Sequence, residues 1–123
     1  MASVFEAVAG NAIGYPVGLG GAVTQETSKA TGVTINKVTG AITTDDAELT
    51  GGAEVSFVVT NSFVAATDVP VVAIKSASGS TGVYVASVSA VAAGSFTITL
   101  SNLGATASET LVINFAVIKA AAS

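Results

Sequence analysis

Cysteine, histidine, arginine and tryptophan are all absent from this chain of 123 residues. Without cysteine there are no disulfides and no thiolate metal sites, which fits a reducing cytosolic origin. Without histidine as well, the Ser-His-Asp and Cys-His systems, imidazole zinc sites and histidine acid–base catalysis are excluded. A Ser-Lys dyad would need both side chains on one face. Ser28-Lys29 and Lys75-Ser76 are chain neighbours, and neighbours in a strand point to opposite faces. These lysines are expected to be solvated edge residues.

Charge is scarce too. Charged residues make up 10% of the chain, against about 25% in an ordinary soluble domain. The net charge is −4, and the lysines (Lys29, Lys37, Lys75, Lys119) are scattered. Phosphate-backbone binding relies on clustered basic residues, so no nucleic-acid partner is expected. Long hydrophobic runs are missing: a spanning helix needs about 20 apolar residues in succession. The run "LVINFAVI" (111–118) is far shorter and rich in β-branched side chains, which favour a strand. No Lys or Arg precedes Lys29, so the start lacks the basic region of a signal peptide. No membrane partner is expected, and the chain is expected to be made and folded in the cytoplasm.

What is present is small and β-forming. Ala, Val, Thr, Gly and Ser supply two thirds of the sequence. From residue 22 onward, short alternating segments are separated by Gly, Ser, Asn and Asp turns. "AVTQET" and "GVTINK" come first, and "VTGA" reads as a glycine turn leading into "AITT". "AEVSFVVTN" (53–61) sets Ala53, Val55, Phe57 and Val59 against Glu54, Ser56, Val58 and Thr60. "VPVVAIK", "VYVASVSAV", "GSFTITLSN" and "ETLVINFAVIK" follow. The pattern predicts an all-β fold, an antiparallel β-sandwich (jelly-roll or Ig-like) of about eight short strands. Phe57, Phe96, Ile98, Leu100, Ile113 and Phe115 are the expected core.

Residues 1–21 stand apart as an extended, flexible N-terminal arm before a β-domain over 22–123. Gly10, Gly14, Gly18, Gly20, Gly21 and Pro16 break every periodicity there, and such a segment orders only at high entropic cost. Two readings stay open: a frayed terminus, or an arm ordered by a partner through Phe5, Ile13, Tyr15, Val17 and Leu19. The closing strand poses a related question. Leu111, Ile113, Phe115 and Val117 form one apolar face, yet Val112, Ala116 and Ile118 make the opposite face mostly apolar too. Either it is a central strand covered on both sides, or its outer face, with Val112 and Ile118, packs on another subunit. The low charge of the whole chain favours the second.

Candidate chemistry is thin. Asp45, Asp46 and Glu48 share a loop, but not with the spacing of a calcium-binding EF-hand, and a solvated acidic turn is expected. Glu54 and Glu109 read as rim charges. A glycosidase would normally bring aromatic sugar platforms, and this chain has two Tyr and no Trp. The glycines of "GYPVGLGGAV" (14–23) miss the dinucleotide fingerprint, whose third glycine would fall at Val23. No catalytic residue, cofactor or metal is expected, and the chain reads as a non-enzyme.

Three segments carry a family stamp: "AVTQETSKATGVTINKVTGAITT" (22–44), "AEVSFVVTNSFVAATDVPVV" (53–72) and "VSAVAAGSFTITLSNLGATASETLVINFAVIK" (88–119). They resemble segments of small virion proteins of tailed phages and prophages, over about residues 22–119. The resemblance implies a virion building block. The compact length, without a helical shaft, favours a capsid decoration (cement) protein over a tail-fibre or receptor- or carbohydrate-binding tip module. It further implies a homo-oligomer, expected to be a trimer, on the capsid surface, with the major capsid protein as partner. The arm lies outside the resemblance. Deleting residues 1–18 is expected to leave the β-domain folded and to weaken attachment to the capsid.

Overall fold

A computed structural model of the chain describes residues 6–8, 12–80 and 82–120. Among them there is no helix, and ten strands run in chain order. The first two, β1 (Glu6–Val8) and β2 (Ala12–Gly14), form a small antiparallel hairpin. The others are β3 (Gly20–Thr24), β4 (Val33–Thr34), β5 (Thr39–Thr43), β6 (Glu54–Thr60), β7 (Val69–Ala77), β8 (Tyr84–Ala92), β9 (Ser95–Asn102) and β10 (Leu111–Ile118). They make two four-stranded sheets, β3-β5-β10-β7 and β4-β6-β9-β8.

The sheets are mixed, where alternation alone predicts antiparallel pairing. β3 runs parallel to β5, and β4 parallel to β6. The chain's path explains this. From β3 to β8 it crosses between the two sheets at every turn, so strands entering one sheet in succession all run the same way. Within the two four-stranded sheets only β8 and β9 are consecutive neighbours, joined by a tight turn in which Gly94 takes a φ of 82°, a conformation that suits glycine. β9 and β10 then insert between strands already laid down, giving each central strand two antiparallel neighbours.

The inner faces of both sheets contribute to one main core of Ile42, Phe57, Val59, Phe96, Ile98, Ile113, Phe115 and Val117. A smaller cluster of Leu49, Tyr84, Leu100 and Leu111 lies beside it. The rings of Phe96 and Phe115, one from each sheet, sit 5.7 Å apart and tilted by 54°. All six side chains expected in the core are buried.

Gly40 departs from the sequence reading. It lies inside β5, not in a turn, because the strands close in on it. A Cβ there would stand 2.6 Å from the Gly21 carbonyl oxygen and 3.1 Å from the Phe115 ring. The glycine is a packing requirement of the β3–β5 pair. The sheet also takes in Gly20 and Gly21, so β3 starts two residues before the arm boundary expected from composition.

Candidate functional site

Because strands run end to end, the loops gather at two opposite ends of the molecule. At one end lie the starts of β3, β5, β7 and β9, the stop of β10, and the loops 35–38 and 61–68. The end is organised by Asn61, whose buried amide donates to the Lys37 carbonyl (2.6 Å) and accepts the Phe63 N–H (2.9 Å). This bracing turns the Phe63 ring outward, where it is 50% exposed. Phe63, Leu19, Val38 and Gly18 then line an apolar groove of about 390 Å³, rimmed by Asn36, Lys37 and Lys119.

Lys119 is fixed on that rim. Its ammonium donates to the Phe63 carbonyl (2.7 Å) and pairs with the Asp68 carboxylate. Burial would raise the Asp68 carboxyl. The Ala65 N–H (2.8 Å) and Lys119 outweigh it and hold the group below its usual range. Beside it, the half-buried Tyr15 hydroxyl donates to the Val117 carbonyl. Burial first, then the Asp68 charge, pushes the phenol up.

The structure brings only some of the expected partner-binding residues to this end. Phe5 lies outside the described residues, as does the side chain of Ile13, whose backbone pairs with Ala7 in the hairpin. Tyr15 is tied to the end of β10, Val17 is fully exposed, and Leu19 lines the groove. Ile118 pairs across the sheet with exposed Val69. Val112 is six residues up β10, opposite Thr43, and belongs to the other end. The sequence reading missed Phe63, Lys37, Val38 and Lys119. An aromatic residue between the turn-forming Asn61 and Asp68 was the available signal.

At the opposite end, Lys29 overturns the expectation of a solvated edge lysine. It is 3% exposed, and its ammonium donates to the carbonyls of Asp45 (2.7 Å), Ala47 (2.6 Å) and Glu109 (2.7 Å). Burial lowers its pKa, opposed by the charges of Asp45, Asp46 and Glu109. The carbonyls of the acidic loop are thus engaged by the chain's own cation. Among the described residues no group of three metal-ligating side chains converges.

Glu109 is more than a rim charge. Its Oε1 accepts the Ser80 N–H (2.9 Å), and its Oε2 is buried, as is the Tyr84 hydroxyl. Burial first, then the Glu109 carboxylate, pushes the Tyr84 phenol up to about 12. Asn102, fully buried, donates to the carbonyls of Leu49 (3.0 Å) and Ala105 (2.9 Å) and accepts the Gly104 N–H. The turn it builds pushes Leu103 out to 70% exposure.

Between the two ends, the outer face of the β3-β5-β10-β7 sheet is almost without charge. One row across it reads Ala22, Ala41, Asn114, Ala73, and the next Gly20, Thr39, Ala116, Val71. β10 is central, and its outer face is not buried under the described residues: Asn114 and Ile118 are exposed, Val112 and Ala116 half-buried. Lys75, at the β7 edge, is the only charged side chain on this face among the described residues. The outer face of the second sheet is hydroxylated, with Ser56, Thr99 and Ser89 linked by 2.8 Å hydrogen bonds. No helix among the described residues is long and apolar enough to cross a membrane.

Comparison with known proteins finds no matching family model, no matching curated protein and no matching solved structure.

Proposed function

We propose that the chain is a non-catalytic structural subunit of a tailed-phage particle, a capsid decoration (cement) protein. In this reading its two sheets form a β-sandwich whose outer surfaces are built to be covered. The observation that carries the reading is the outer face of the β3-β5-β10-β7 sheet. A sheet facing water ordinarily carries polar and charged side chains. This one presents alanine, valine and threonine, with Val69, Val71 and Ile118 exposed together. Contiguous apolar area of this kind marks interaction surfaces. The resemblance of residues 22–119 to small virion proteins supplies the kind of assembly.

Self-association into a trimer and attachment to the major capsid protein follow from the same reading, with the virion surface as location. A carbohydrate-binding tip is the weaker alternative, since Phe63 is the one large aromatic side chain standing out among the described residues. The test is copurification with particles. The protein should remain on intact heads through a density gradient, in a fixed ratio to the shell protein. Its loss from heads, with recovery on tails, would transfer the role to a fibre.

A further inference from the structure

The two ends of the molecule differ in charge and in shape, and the differences match. The Leu103 end carries the exposed carboxylates of Glu26, Asp46, Glu48 and Glu54, near which only Lys29 and Lys75 lie, Lys29 being buried. The Phe63 end carries Lys37 and Lys119, and its Asp68 is buried and paired with Lys119. Lys37 makes no ion pair among the described residues. Shape follows the same division. The Phe63 end is hollow, with its apolar groove of about 390 Å³. The Leu103 end carries a knob, the exposed Leu103 held out by the Asn102 turn.

Acids flank that knob. The Asn102 amide ties its turn to Leu49, next to Glu48, and Glu54 pairs with Ser101 across the β6–β9 ladder. We propose that the Leu103 end of one copy docks into the Phe63 end of a second copy. Leu103 fills the groove between Leu19 and Phe63, and Glu48 and Glu54 face Lys37 and Lys119. The contact is heterologous, head to tail, because the two surfaces are different and lie on opposite ends. Such contacts extend into a stack unless the geometry closes them. A single knob with a charged rim makes a small interface, in the transient class below about 1,200 Å². Its charges also make it sensitive to salt, since screening at 0.1 M sets in over about 10 Å.

The proposal goes beyond the role on the shell and does not depend on it, because it concerns purified protein alone. The experiment uses two variants, L103D with a spoiled knob and F63D with a spoiled groove, both at exposed positions and both checked for unchanged circular dichroism. Sedimentation velocity at low salt should show that wild-type protein grows in mass with concentration. Each variant alone should associate at least tenfold more weakly. Mixed together they should join one unit of each and stop, because each retains one intact end. Adding salt, or K37E, should weaken wild-type association, and K37E/E48K should restore part of it. A mixture that stays at the mass of its separate components would overturn the proposal, as would an L103D variant that associates like wild type. Binding of the same variants to heads is scored separately, so loss of one property leaves the other measurable.

Discussion

The Lys29 ammonium donates a 2.7 Å hydrogen bond to the carbonyl of Glu109, 80 positions further along the chain. With its bonds to Asp45 and Ala47, it ties three loops of one end into a unit. The bonds are charge-assisted and shielded from water, so each contributes more than a neutral surface bond. K29M should keep the aliphatic packing yet leave three carbonyls without their donor. We expect a loss of about 3–5 kcal/mol, read as a lowered urea midpoint at an unchanged slope.

The Asp68–Lys119 pair makes stability sensitive to acid. The Asp68 carboxyl is held below its ordinary value of 3.8, so the folded state binds its proton less readily than the unfolded state. The stabilisation is complete above the unfolded value and lost as pH falls through the folded one. Because Lys119 is 36% exposed, solvent screening limits the gain to about 1–2 kcal/mol. D68N should unfold at lower urea at pH 7 and show a flatter loss of stability below pH 4.

At alkaline pH the sign comes from Tyr84. Its phenol is pushed up to about 12, above its ordinary value near 10. Unfolded chains ionise first, so stability should fall as pH rises from about 10 to 12. An ultraviolet titration of the folded protein should show little phenolate at pH 10.5. E109Q should move the Tyr84 transition downward.

Gly40 tests the close approach of β3 and β5. G40A places a methyl group against the Gly21 carbonyl and the Phe115 ring, and overpacking of this kind costs about 1–3 kcal/mol. The expected readout is a reduced thermal midpoint with an unchanged far-UV spectrum. A neutral effect would mean that β3 is not held against β5.

The strands were legible because their alternation is strict where one face is buried. Phe57 and Val59, and likewise Phe96, Ile98 and Leu100, stand at period two and all point inward. Parallel pairing was not legible, because it depends on the chain crossing between sheets, which leaves no mark on a strand's own pattern. Gly40 was misread for a similar reason: a glycine required by a neighbouring strand looks like a glycine required by a turn. Lys29 was hidden because its partners are backbone carbonyls, which every sequence has. Of the candidate site, Leu19 and Ile118 could be read as unexplained apolar residues, whereas the groove needed the Asn61 turn to expose Phe63.

In the proposed reading this chain covers, and is covered by, other subunits of a particle. The direct test of that proposal is a binding isotherm of the purified protein on undecorated tailed-phage heads, read as bound copies per head. We predict saturation at a copy number set by the symmetry of the shell lattice, with raised resistance of the heads to heat. Heads that bind no protein at saturating concentration, or that bind it without a fixed ratio and without added stability, would contradict the account.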